Sequence, residues 1–207
     1  ESVQNTTKKI KTSKIPLVLA SSSPRRKAIM SQVGLSFITE PSNLDEDYSI
    51  ELPPKAFCEY WAREKAKHVA LSHTDKLVIG ADTIVLIDGK VLGKPLNRKE
   101  SVEMLKSLSG KTHEVLTGVS LMHLDLGIDY TFSVSTKVSF YTLKNKDIFN
   151  YIEIYKPFDK AGSYGIQDGF SVYVKKINGC FYNVMGFPIS KFYRFFKTIK
   201  EEGKIID

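Results

Sequence analysis

Apolar and polar positions along this chain fall into blocks of differing period, and the changes of period predict an order of elements. Ile15 to Ser21, IPLVLAS, is an apolar run of strand length that gives way to three serines and Pro24. Ser23 can cap a helix there, and Pro24 suits the first helical position, where its missing N–H costs nothing. The helix runs to about Val33, with Ala28, Ile29 and Val33 on one face and Gly34 placed to end it. LSFITE reads as a second strand, and PSNLDEDYSIELPP as an acidic loop. Residues 55–71 carry Phe57, Tyr60, Trp61 and Val69 at helical spacing, an amphipathic helix whose aromatic stripe belongs to the core. Apolar runs then flank Gly80-Ala81-Asp82-Thr83, and Asp88-Gly89 marks a hairpin turn. Asn97 and Glu100 resemble a capping box for a helix carrying Met104, Leu105 and Leu108 and stopped by Gly110. HEVLTGVSLMHL and YTFSVSTKVSFYTL are long strands joined by a Gly-containing turn, followed by a short helix with Ile148, Phe149 and Ile152. KPFDKAGSYGIQDGF reads as a loop, SVYVKKINGCFYNVM as a hairpin about Asn178-Gly179, and a last helix begins at Pro188. Strands alternating with helices predict an α/β fold.

Composition narrows the class. The chain has 207 residues, 42% hydrophobic and 26% charged, enough to build its own core without a metal or disulfide staple. Cys58 and Cys180 have no ligand spacing and read as reduced core thiols. No apolar run reaches the length of a membrane span, and the N-terminal stretch lacks the apolar segment of a secretory signal, so the expected location is the cytoplasm, away from membranes. The net charge of +7 raises nucleic acid as a partner. Four lysines (Lys8, Lys9, Lys11, Lys14) lie in a polar stretch, however, and residues 1–14 read as a disordered basic tail before a single domain at 15–207. The body is only mildly basic, which leaves nucleic acid the runner-up.

The chemistry starts where local rules are broken. Arg25 and Arg26 follow Pro24 in the first helical turn, where positive charge opposes the helix dipole unless an anion sits beside it. Asp82 sets a carboxylate inside an apolar run, which is costly unless paired; a turn cap or a bridge to an arginine would also account for it. Glu46, Lys65 and Lys94 each have a bland reading as solvated charges, and turn chemistry covers Lys160 and Gln167 in the glycine-containing loop. His113 reads as a strand residue rather than a ligand. Together, cations and carboxylates without an activated Ser/Cys/His set favour a polyphosphate substrate and metal-assisted hydrolysis over acyl transfer. Neither a P-loop nor a GxGxxG fingerprint is present. A nucleotide- or nucleic-acid-binding regulator without turnover is the alternative.

LASSSPRR, the NLDED loop, AREKAK, VIGADTIVLIDGKVLGKP, SGKTHEVLTGV, KPFDKAGSYGIQ and NVMGFP, in this order from about residue 15 to 200, resemble the Maf family of nucleoside triphosphate pyrophosphatases. The resemblance implies an elongated mixed β-sheet with flanking helices and two lobes around a central cleft, often as a homodimer. It also implies conversion of a nucleoside triphosphate to monophosphate and pyrophosphate in a house-cleaning role, with Mg²⁺ or Mn²⁺. Carried over by position, Asp82 is the proton acceptor, Glu46 with Asp82 holds the metal, and Ser21, Arg25, Arg26, Lys65, Lys94 and Lys160 grip the triphosphate. Arg25, Thr83 and Gln167 match the branch acting on dTTP and UTP; the branch acting on 7-methyl-GTP replaces them. One departure is Asp168 after the loop glutamine, where the family often has Gly; it adds negative charge near the site.

Overall fold

The computed structural model describes residues 16–201, so the expectations for the basic tail fall outside the described residues. The β-branched and apolar runs form β1 (Leu17–Leu19), β2 (Phe37–Thr39), β3 (Leu77–Ile87), β4 (Lys90–Leu92), β5 (Thr112–His123), β6 (Ile128–Phe140) and β7 (Val174–Asn178). The helices are α1 (Pro24–Gln32), α2 (Pro54–Ala70), α3 (Arg98–Leu108), α4 (Asn145–Tyr155), α5 (Phe181–Val184) and α6 (Ile189–Glu201). They flank one mixed seven-stranded sheet of order β2-β1-β3-β5-β6-β7, with β4 also paired to β3. Among the described residues no helix is long and apolar enough to cross a membrane.

One topological detail makes the site. β5 covers one edge of β3 from Val78 to Leu86. The other edge is shared: parallel β1 pairs with Leu77 to Ile79, and antiparallel β4 pairs with Val85 to Ile87. Among the described residues no strand lies beside the β3 edge at residues 80–84 between them, so side chains from both faces of the sheet reach the same opening. Asp82 and Thr83 lie there.

The core is divided at the same place. Leu77, Ile79 and Ala81 pack with Ile29, Phe187 and Phe192, whereas Val85 and Ile87 pack with Leu105, Leu108, Ile148 and Phe170. On the opposite face α2 lies directly on the sheet. A Cβ at Gly80 would stand 2.1 Å from the Ala62 carbonyl oxygen, and one at Gly118 2.2 Å from that of Cys58. These two glycines set how closely the helix approaches.

Several expectations are corrected. In α1 the buried pair is Ile29 and Met30, not Ala28 and Val33, because the helix meets the sheet one residue further round. Tyr60 and Phe149 face outward from α2 and α4 while their neighbours Phe57, Trp61, Ile148 and Ile152 are buried. The 156–170 loop contains tight 3₁₀ turns at Pro157–Asp159 and Ala161–Ser163, and a third spans Gly169–Tyr173. The hairpin at 171–185 has only its first strand. Gly179 does turn the chain, at φ 131°, but the buried Asn183 amide then donates to the Val115 carbonyl and Thr136 Oγ1, which winds residues 181–184 into α5. Cys58 is buried and Cys180 half-buried; both are free.

Candidate functional site

The opening beside β3 is a cleft of about 470 Å³, lined by every site residue read from the sequence: Ser21, Arg25, Arg26, Glu46, Lys65, Asp82, Thr83, Lys94, Lys160 and Gln167. Lys65 lies on the face of α2 that the glycines draw onto the sheet, and it is 8% exposed. Its ammonium donates to Asp82 Oδ1 at 2.8 Å and to Glu46 Oε1, so loop, helix and strand meet at one charge. The solvated readings of Glu46 and Lys65 are thereby set aside. Lys65 grips the two carboxylates, where the resemblance implied a grip on phosphate.

The two acids are driven apart. Burial raises Asp82 above the usual carboxylate range, with Lys65 and Arg26 opposing it and Glu46 adding to it. Glu46 also feels burial, but the charge and hydrogen bond of Lys65, helped by Lys94, leave it below that range. Asp82 Oδ2 is buried with no hydrogen-bond partner. An unpaired carboxylate oxygen at a cleft is costly in folding and useful in chemistry.

Across the opening, Ser23 caps α1 by accepting from the Arg26 backbone N–H at 3.4 Å. Arg26 is held by neutral oxygens alone: Nε donates to Gly186 O at 2.9 Å, Nη1 to Ser21 Oγ at 3.1 Å and Nη2 to Thr83 Oγ1 at 3.1 Å. Burial brings its pKa down to about 10, although Asp82 partly opposes this. The guanidinium is thus fixed in place and lacks a bonded counter-charge. Ser21 Oγ also accepts from the Ser23 N–H at 3.2 Å, which leaves its own proton to donate. Arg25 reaches instead to Asp159, a residue that the sequence reading passed over as part of a loop. Lys94 and Gln167 are exposed at the rim.

The loop carrying Gln167 is stiffly framed. Tyr151 accepts from the Gly165 N–H at 3.0 Å and donates to Asp168 Oδ2 at 3.1 Å, while Asp168 Oδ1 accepts from the Phe170 N–H. The Asp168 carboxylate therefore caps its own turn, behind Gly165 of the cleft wall. His113 is buried and bonded to the Tyr164 hydroxyl at 2.8 Å; burial lowers its pKa to about 4, so it stays neutral. Cys58 is pushed up to about 12, chiefly by burial, and is inert as a nucleophile.

Among the described residues no group of three His, Cys, Asp or Glu side chains could hold a metal alone. Two carboxylates with a free buried oxygen nevertheless fit a hard divalent cation of the kind that completes its shell with substrate phosphates and water.

The family described as "Maf-like protein" matches residues 16–199. A protein named "dTTP/UTP pyrophosphatase" from Bacillus pumilus (strain SAFR-032) is 45% identical over 182 residues, covering 88% of this chain and 95% of that one. Another of the same name, from Bacteroides thetaiotaomicron, is 44% identical over 183 residues, covering 87% and 94%. Among solved structures, a HAM1 protein from Coxiella burnetii is similar over 61% of this chain and 73% of that chain, at 16% identity and a TM-score of 0.44.

Proposed function

This chain belongs to the family described as Maf-like protein, and from that membership we propose that it hydrolyses dTTP and UTP to the nucleoside monophosphate and pyrophosphate. The observation that carries the reading is Asp82: a buried carboxylate with a raised pKa, one oxygen fixed by Lys65, the other unpartnered at a cleft ringed with cations. A protein that only binds nucleotides has no use for such a group. Asp82 takes the proton from a water directed at the α-phosphorus, and desolvation brings its basicity toward that task. Arg25, Arg26, Lys94 and Lys160, with the Ser21 hydroxyl and the N-terminus of α1, bind the triphosphate and the charge that gathers on leaving pyrophosphate. This is the anion that Arg26, held by neutral oxygens alone, lacks, and for Arg25 it takes the place of Asp159.

Glu46 and Asp82 would hold Mg²⁺ or Mn²⁺, which when bound neutralises triphosphate charge and polarises phosphate oxygens. Lys65 keeps those two acids together. Gln167 offers an amide donor and a carbonyl acceptor, a match for the O4 and N3–H edge of uracil or thymine. Thr83 bears on the choice indirectly, because its hydroxyl accepts from Arg26 and is bonded to Thr117 at 3.0 Å. Residues 15–207 act as one catalytic domain in this reading, since β3, β5 and β6 run through both halves of the core. With a nucleotide as substrate, its place of work is the cytoplasm.

The test is kcat/KM for dTTP, UTP, CTP, GTP, ATP and 7-methyl-GTP with Mg²⁺. We expect dTTP and UTP to lead. A purine triphosphate preferred over both would refute the substrate choice, and tight binding of every nucleotide without pyrophosphate release would favour a regulator.

A further inference from the structure

Asp159 has no part in the chemistry above, yet its carboxylate stands between two of the cleft's cations. Arg25 Nη1, on α1, donates to Asp159 Oδ2 at 2.6 Å and Nη2 to the Asp159 carbonyl oxygen at 3.1 Å. Lys160 Nζ donates to Asp159 Oδ1 at 2.8 Å. The three residues lie on the cleft wall, and Arg25 and Asp159 are separated by 134 positions, so this contact ties the α1 side of the opening to the 3₁₀ turn on the other. The side chains of Arg25 and Lys160 are 18% and 14% exposed, whereas that of Asp159 is 52% exposed. The cations are fixed in the wall and the anion between them faces solvent.

We propose that Asp159 is an internal stand-in for phosphate: its carboxylate occupies the seat that the pyrophosphate part of the nucleotide takes between Arg25 and Lys160, and swings out when substrate binds. Two planar oxygens spanning a guanidinium and an ammonium match the way neighbouring phosphate oxygens are held. Although partial burial works against it, the hydrogen bonds and charges of Lys160 and Arg25 bring the Asp159 pKa down to about 2, so the carboxylate holds this seat until a more highly charged anion takes it. When pyrophosphate is formed, the same carboxylate competes for the two cations and helps expel the product. Asp159 thereby trades affinity for release, and Arg25 and Lys160 keep a partner throughout the cycle. The proposal rests on the reading of the cleft as a triphosphate site.

The test separates it from that reading by measuring binding without turnover. Inorganic pyrophosphate is titrated calorimetrically into the wild-type protein, Asp159→Asn, Asp159→Ser and, as a remote control, Asp88→Asn, whose carboxylate pairs with Lys111 outside the cleft. Loss of the competing anion predicts pyrophosphate binding about threefold to tenfold tighter in both Asp159 variants and unchanged in Asp88→Asn. In dTTP turnover the same two variants should show a lower KM, a lower kcat and stronger inhibition by added pyrophosphate. Equal or weaker pyrophosphate binding in the Asp159 variants overturns the stand-in, even if dTTP is hydrolysed normally. Tighter binding in a protein that hydrolyses no nucleotide would leave the stand-in standing and overturn the reading of function instead.

Discussion

Asp82 is the residue on which the chemistry turns, and its neighbours say how to test it. Asp82→Asn keeps the shape and the contact with Lys65 while removing the charge, so kcat should fall by about 10² or more, the usual scale of general acid-base contributions. The melting temperature should hold or rise, since burial disfavours the Asp82 charge and Lys65 keeps Glu46 as its ionic partner. A drop in both would mark Asp82 as a structural residue. His113 makes a separate prediction about stability. Its pKa near 4 in the folded protein lies below the ordinary value of 6.5 because burial penalises the charged ring. A histidine depressed in this way contributes stability that is full above pH 6.5 and is lost as pH falls toward 4. Between pH 7.5 and 5 this single group accounts for about 2 kcal/mol. His113→Phe, which keeps an aromatic ring beside Phe140 and Tyr164, should lose much less stability over that range in denaturant melts. An unchanged pH dependence would contradict the assignment. From the sequence, Asp82 was visible as a charge in an apolar run. The Lys65 ammonium that bridges it to Glu46 was not, because that contact joins a loop, a helix and a strand and no spacing encodes it. Asp159 looked like any loop acid.

At the scale of elements, the placement of α2 decides whether Lys65 reaches the carboxylates. Gly80 and Gly118 lie on adjacent strands under the helix, and a methyl group at either would collide with helix backbone. Gly118→Ala should therefore lift the helix, destabilise the protein by about 1–3 kcal/mol in the manner of overpacked cores, and lower kcat at temperatures where the protein is still folded. Normal stability and turnover in that variant would show that the close approach is incidental. The periodicity of α2 predicted the helix, and its buried side was right except at Tyr60. The turn signal Asn178-Gly179 was real too, since Gly179 adopts a positive φ. What followed it was decided by tertiary contact, because the Asn183 side chain satisfies backbone and hydroxyl groups of β5 and β6 only from a helical turn.

In the whole molecule, the gap on the β3 edge is the feature that unites fold and function. Two short strands, β1 and β4, share one edge of a long one and leave residues 80–84 uncovered between them, at the same level where the core divides. The ordered motifs pointed to a cleft between two lobes. The gap itself depends on which strands pair and where they stop, and chain order does not state that. Residues 1–13 precede the first apolar run of the sequence and include none of the candidate site residues, so their deletion should leave kcat/KM nearly unchanged; abolished activity would give the basic stretch a role in catalysis. The most direct test of the central claim follows the oxygen. When dTTP is hydrolysed in ¹⁸O-labelled water with Mg²⁺ and the products are resolved by mass spectrometry, attack on the α-phosphorus by the water that Asp82 activates predicts one label in dTMP and unlabelled pyrophosphate. Label in pyrophosphate, or release of orthophosphate and dTDP, would contradict it.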